Sequence, residues 1–414
     1  MAESWVDVPE GSGWGLANLP YGVVNRDDPR LVVAIGNHAL DLRAAAQAGL
    51  LDRTGIAPEV FARPHLNGVL EQTPDRWAAL REAVLTILTA PSEPAADLLM
   101  ARSGIENLLP FAVADYVDFY ASEHHATNLG RLFRPNDEPL MPNWRHLPVG
   151  YHGRSATVVV SGTPVRRPVG LTKPPDGPVA RRPSASLDVE VEFGAVVGFG
   201  NRGAPVPAAQ AARRIFGFVL LNDWSARDIQ AFEYQPLGPH LGKSFATSIS
   251  PWVIPHEALA PFAVDGPLQE PEPDEFLRQP EPRGLDIQFE LVLDTAAMAE
   301  SGAQPEVVSR PRFRDMYWSP AQMLAHVTSN GATISPGDLY GSGTVSGPDR
   351  SQFGSLIELT WRGSDPLRLP TGETRAWLQD GDSATIRGWC ESESARIDLG
   401  EVTGTITPAP DAHT

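Results

Sequence analysis

The pattern of apolar and polar positions divides the chain into two textures. Near the N-terminus, Leu31 to Ile35 is a short apolar run that predicts a strand, and the alanine-rich stretch from His38 to Leu51 predicts a helix. A second helix is better marked. Thr73 stands at its cap, Pro74 suits its first turn, and Trp77, Leu80, Val84 and Leu88 recur on one face before the broken segment Ala90 to Pro94. From about Phe111 onward the chain reads as strands and Gly/Pro-rich turns.

In that second part, Leu187, Val189, Val191 and Phe193 alternate with polar residues, as do Leu285, Ile287, Phe289, Leu291 and Leu293. Strict alternation predicts half-buried antiparallel strands. Ile215 to Leu221 is nearly all apolar and predicts a central strand. Ser319-Pro320-Ala321-Gln322 has the form of a capping box, opening a helix that Gly331 stops. Leu339 to Val345 and Leu356 to Trp361 are predicted as strands, and the acidic, proline-rich stretch Pro255 to Pro282 as a long surface loop. These elements imply a β-rich α+β protein in two domains, residues 1–110 and 111–414.

Composition sharpens this. The 414 residues include 37 glycines and 40 prolines, and 42% are hydrophobic, which suits many turns and short strands around substantial cores. A net charge of −18 repels phosphate backbones and anionic lipid, so neither nucleic acid nor membrane is an expected partner. One cysteine, Cys390, excludes a disulfide framework and a thiolate zinc cluster. No signal peptide or apolar span stands out, so a cytoplasmic location is expected.

Two glycine motifs mislead. Gly198-Phe199-Gly200-Asn201-Arg202-Gly203, with Asp223 about twenty residues on, has dinucleotide-binding spacing. Pro205 and Pro207 occupy the turn that should open the crossover helix, and the strand before it carries acidic residues, so a glycine-rich turn is the better reading. Gly238-Pro239-His240-Leu241-Gly242-Lys243-Ser244 is one residue short of a phosphate loop, and its proline removes a backbone donor.

Candidate chemistry lies in the carboxylates. Glu190 and Glu192 project from one face of an alternating strand; alone, the pair fits a solvated face better than a metal site. Asp223 follows the apolar strand where a helix starts, either as a site residue or as a plain N-cap, and Asp118 stands in a non-helical aromatic stretch. Arg227, Gln230 and Tyr234 share one helix face, offering a cation, an amide and a phenol suited to a carboxylate or a developing oxyanion.

Asp223-Trp224-Ser225-Ala226-Arg227-Asp228-Ile229-Gln230, Leu241-Gly242-Lys243-Ser244-Phe245 and Asp118-Phe119-Tyr120 with His125-Ala126-Thr127-Asn128 closely resemble the fumarylacetoacetase family. So do Pro148-Val149-Gly150-Tyr151-His152-Gly153-Arg154, Gly343-Thr344-Val345-Ser346-Gly347-Pro348 and Asn18-Leu19-Pro20-Tyr21-Gly22-Val23, so the likeness spans nearly the whole chain. The resemblance implies a small SH3-like β-barrel N-terminal domain before a β-rich catalytic domain, assembled as a homodimer. It implies a metal-dependent hydrolase that splits 4-fumarylacetoacetate, a diketo dicarboxylate, into fumarate and acetoacetate at the end of tyrosine degradation.

By the same resemblance Asp118, Glu190, Glu192 and Asp223 hold a cation, with Lys243 and Thr247 lining its site. All-oxygen ligands suit Mg²⁺ or Ca²⁺. His125 is the implied base, oriented by Glu358, although His124 stands beside it. Arg227, Gln230 and Lys243 are expected to stabilise the oxyanion, and Tyr120, Arg134, Tyr151, Gln230, Tyr234 and Thr344 to contact substrate. An acylpyruvate hydrolase is the nearest alternative, and a non-catalytic metal-binding scaffold the alternative of another class.

Overall fold

The computed structural model describes residues 3–90, 97–174, 176–393 and 395–410. Its spine is a twelve-stranded mixed sheet. Along the main path the order is Leu99–Ala101, His38–Asp41, Arg30–Ile35, Tyr21–Val24, Trp252–Pro255, Ile215–Asp223, Val191–Val197, Leu339–Gly341, Tyr116–Phe119 and Gly150–His152. Thr247–Ile249 branches off by pairing with Ile215–Asp223, and Val158–Val160 runs parallel to it. A second sheet of five strands contains Gln288–Asp294, Ser383–Glu391 and Arg396–Thr407.

Ile215–Asp223 is rich in Ile, Phe, Val and Leu and is buried at every position, as its unbroken apolar run predicts. Both faces are covered. Phe193, Phe218 and Leu220 pack towards Phe289, Leu291, Ile386 and Val402 of the second sheet. Val196, Val219 and Leu221 join Leu31, Val33 and Leu80 from the N-terminal part. The N-terminal strands therefore share a sheet and a core with the rest of the chain, and among the described residues they form an open wing, not a closed barrel.

Several predicted elements form as read. The helix Pro74–Thr89 begins after Thr73 and buries Trp77, Leu80, Val84 and Leu88; residues 91–94 of the expected break lie outside the described residues. Ser319 and Gln322 make both halves of a capping box on Pro320–Thr328. Ile287, Phe289 and Leu291 are buried while Gln288 and Glu290 are half-exposed, the alternation expected of that strand until buried Val292 breaks it before Leu293.

Others differ, each for a tertiary reason. His38–Asp41 is a strand paired with Arg30–Ile35, and only Leu42–Gln47 is helical, with Asp41 accepting from the Ala44 N–H. Val191–Val197 is buried on both faces instead of half-buried, because two layers cover it. Leu339–Gly341 stops short of Val345, and Leu356–Leu359 is a helix where a strand was expected. Pro255 to Pro282 is not a bare surface loop: it holds the helix His256–Leu259 and buries Leu259, Phe262 and Leu277. The glycines after Val197 form a turn in which the Gly198 N–H donates to the Arg214 carbonyl.

Candidate active site

Four neighbouring strands bring the acids together. Asp118 sits on Tyr116–Phe119, Glu192 on Val191–Val197 and Asp223 at the end of Ile215–Asp223; oxygens of these three carboxyls lie within 4.8 Å of one another. Gly341 pairs with Asp118 on one side and Gly194 on the other. A Cβ there would stand 2.7 Å from Asp118 Oδ1 and 2.9 Å from Glu192 Oε2, so glycine is what leaves room for the acids to converge. The nearby Gly343 has φ +75° and donates its N–H to Glu192 Oε2 at 3.1 Å.

Asp118, Glu192 and Asp223 are buried, and Asp118 Oδ1 and Glu192 Oε1 have no hydrogen-bond partner among the described residues. Burial, then the charge of Asp223, pushes the Asp118 carboxyl well above the usual carboxylate range, against the pull of Lys243. Burial and the charges of Asp118 and Asp223 do the same to Glu192. Orphaned, mutually repelling oxygens with no nitrogen or sulfur donor fit a hard divalent cation.

Glu190, expected as a fourth ligand, is drawn towards cations. Arg227 donates to its Oε1 at 2.6 Å and Lys243 pairs closely with its Oε2, while Ser225 and Thr344 add hydroxyl donors at 3.0 and 2.9 Å. Burial works against its ionisation, but Arg227 and Lys243 outweigh it and hold Glu190 well below the usual range. Lys243 also reaches Asp223 at 2.9 Å; burial would lower its pKa, and the charges of Asp223 and Glu190 raise it instead. Thr247 and Tyr151 donate to Asp223 at 3.0 and 2.9 Å.

The base position is a second cluster. His125, on the helix Glu123–Phe133, places Nδ1 2.7 Å from Glu358 Oε2. Glu358 also accepts from Asn128 at 2.9 Å and from Ser346 and Ser355 at 2.8 Å each. Burial raises its pKa, and the charge and hydrogen bond of His125 with those of Asn128 and Ser355 override this and lower it. His125 Nε2 is left free, 3.8 Å from Glu190 Oε1. His124 is half-exposed and does not line the cavity.

That cavity holds about 480 Å³, and of the expected site residues only Asp223, Thr247 and Glu358 stand behind its wall. Arg134 and Tyr234 line it, with the Arg134 Nε unpartnered among the described residues. Arg227 is less free than its helix face suggested. Its Nε donates to Asp188 at 2.8 Å and its Nη1 to Gln230 at 3.1 Å, so of its five N–H groups two remain. Tyr151 likewise spends its hydroxyl proton on Asp223, not on open space.

The profile described as Fumarylacetoacetate (FAA) hydrolase C-terminal matches residues 115–407, and that described as Fumarylacetoacetase N-terminal matches 17–110. The chain belongs to the fumarylacetoacetate hydrolase family. It is 43% identical to the fumarylacetoacetase of Homo sapiens over 418 residues, covering 98% of this chain and 99% of that protein. Against the fumarylacetoacetase of Caenorhabditis elegans the identity is 44%, with 98% and 99% covered. Among solved structures, a fumarylacetoacetate hydrolase from Exiguobacterium antarcticum aligns with TM-score 0.53 at 15% identity, over 94% of this chain and 99% of that one. A putative HpcE protein from Mycobacterium smegmatis gives 0.54 at 19%, over 94% and 99%. At those identities the likeness is one of fold.

Sequence reasoning missed Asp188, Asn128, Ser346 and Ser355, which are buried or nearly so and hold Arg227 or Glu358 in place. For Asp188 a signal existed: it shares the parity of Glu190 and Glu192. The other three look like ordinary polar residues until Glu358 arrives from more than 200 positions away from Asn128.

Proposed function

We propose that this protein hydrolyses 4-fumarylacetoacetate to fumarate and acetoacetate, the carbon–carbon cleavage that ends tyrosine degradation. The observation that carries the reading is the His125–Glu358 pair at 2.7 Å, whose His125 lines the same cavity as Asp118 and Glu192 of the acidic triad. Relatives named fumarylacetoacetase at 42–43% identity over nearly the full chain support the substrate.

Glu358 accepts the Nδ1 proton of His125, which leaves the Nε2 lone pair for a water molecule. His125 takes the water proton, and the oxygen bonds to the carbonyl carbon beside the fumaryl group, whose π pair moves onto oxygen. The third N–H of Lys243, the free N–H groups of Arg227 and the amide of Gln230 are the donors available to that oxyanion. Re-forming the carbonyl breaks the carbon–carbon bond. Its electron pair goes to the acetoacetate carbon, which takes the proton back from His125. Arg134, Tyr120, Tyr234 and Thr344 are placed along the cavity to contact the substrate's carboxylates and chain.

Asp118, Glu192 and Asp223 would hold Mg²⁺ or Ca²⁺, with Glu190, Lys243 and Thr247 around them; when bound, the ion supplies Lewis-acid polarisation of the diketone oxygens. In the same reading the protein is a cytoplasmic homodimer, and residues 1–110 are an SH3-like N-terminal unit whose strand Tyr21–Val24 pairs with Trp252–Pro255. No described helix is long and apolar enough to cross a membrane.

The test compares fumarylacetoacetate with acetylpyruvate on one preparation. A kcat/KM at least tenfold higher for the dicarboxylate is expected from losing a charge-assisted contact worth about 1.5–3 kcal/mol. Equal or better turnover of acetylpyruvate moves the protein to acylpyruvate hydrolysis, and no turnover of either leaves the scaffold reading.

A further inference from the structure

Asp188 is fully buried and belongs to neither the acidic triad nor the base pair. Its Oδ1 accepts the N–H groups of Val189 and Leu356 at 2.8 and 2.7 Å. Its Oδ2 accepts Arg227 Nε at 2.8 Å and the Ile357 N–H at 3.1 Å. Leu356 and Ile357 are the first two residues of the short helix whose third is Glu358. Ser355 occupies the cap position of that helix but makes no capping bond among the described residues; its hydroxyl goes to Glu358 instead. Asp188 therefore caps the helix from a distant strand, and this frees Ser355 to hold the carboxylate that orients His125.

The same carboxylate fixes the arginine. With Nε on Asp188, the Arg227 guanidinium is aimed so that Nη2 meets Glu190 and Nη1 meets Gln230. A buried charge is expensive unless it is paired and fully hydrogen-bonded, and Asp188 meets both conditions with one cation and three backbone donors. A cap alone would be served by a serine or an asparagine. Charge is needed where one group must hold a guanidinium and a helix start together.

We propose that Asp188 is the positioning residue that sets the oxyanion-side Arg227 and the base-orienting Glu358 in one frame, so that the two halves of the site move together or not at all. The inference rests on the hydrolytic reading of His125 and Glu358 and adds to it how their position is maintained.

Asp188→Asn is the direct test. Each oxygen of Asp188 faces two N–H donors, so in either orientation the new amide NH₂ confronts two donors. We expect kcat for fumarylacetoacetate to fall about 10- to 100-fold, the scale of a small misplacement of catalytic groups. The deciding readout is a double-mutant cycle with Glu358→Ala, which removes the orienting carboxylate altogether. If Asp188 acts through Glu358, the double variant loses at least about fivefold less than the product of the single losses, because orientation is lost once. Multiplicative losses that merely follow a lowered Tm, or a kcat within threefold of the unmodified protein, overturn the proposal. Should Asp188→Asn not fold, Asp188→Ser, which leaves space for water, enters the same cycle; failure of both to fold assigns the residue to stability and also overturns it. An unmodified protein that does not turn over fumarylacetoacetate defeats the hydrolytic reading and this inference with it, a result distinct from an active protein with uncoupled variants.

Discussion

Glu358→Gln separates the charge of the base-orienting carboxylate from its geometry. Oε2 accepts from three donors, His125 Nδ1, Ser346 and Ser355, whereas Oε1 accepts only from Asn128. A glutamine in this place has one carbonyl oxygen and one NH₂. Setting the oxygen at the Oε2 position keeps three hydrogen bonds and opposes a single donor, and Asn128 can turn its own amide to offer an oxygen to that NH₂. The reverse setting opposes three donors. The structure thus selects the orientation in which His125 keeps its Nδ1 proton and its free Nε2. What is lost is the negative charge that supports the imidazolium as it forms, a charge-assisted hydrogen bond worth about 1.5–3 kcal/mol. We expect kcat to drop roughly 10- to 150-fold with KM and cation affinity little changed. Turnover is followed by the loss of diketone absorbance, and cation affinity by titration calorimetry. A kcat within twofold of the unmodified protein would show that Glu358 does not support a charged His125. A loss well beyond that range would show that the tautomer has inverted and that the donor count is the wrong guide.

His125→Ala should lower kcat by about 10²–10⁴, the usual range for a general base, while His124→Ala stays close to the unmodified protein; the opposite pattern would reassign the base. Chelation with EDTA should abolish turnover and Mg²⁺ or Ca²⁺ restore it, and full activity in cation-free protein would remove the acidic triad from the chemistry. Gly341→Ala puts a methyl 2.7 Å from Asp118 Oδ1, so Mg²⁺ affinity by calorimetry should fall at least about tenfold, and unchanged affinity would contradict the packing argument. Burial pushes the Cys390 thiol up to about 12, so alkylation at pH 8 should be slow until the protein unfolds; fast labelling of the folded protein would contradict its burial.

The electrostatics of the site follow from an imbalance. Asp118, Asp188, Glu190, Glu192, Asp223 and Glu358 are all buried around two buried cations, Arg227 and Lys243. The cations are shared out to Asp188, Glu190 and Asp223, and His125, Asn128 and two serines serve Glu358. Asp118 and Glu192 are left with the orphaned oxygens, which is why the demand for an external cation concentrates on the triad.

Sequence alone determined the local elements whose signals are short-range: the Pro74 helix start, the Ser319–Gln322 box and the apolar run of Ile215 to Leu221. It also nominated the candidate site residues, through ordered motifs that needed no knowledge of contacts. Tertiary structure decided the rest. Alternation at 187–193 predicted one wet face, and burial of that face required a second sheet and an N-terminal wing from elsewhere in the chain. The segment at 356–359, predicted as a strand from its apolar run, is a short helix whose first two N–H groups are accepted by Asp188, 168 positions before Leu356. Glu190 and Arg227 read as free groups until their partners were placed. Local periodicity records which way a side chain points, but what it meets there is set by groups far along the chain, such as the 233 residues between His125 and Glu358.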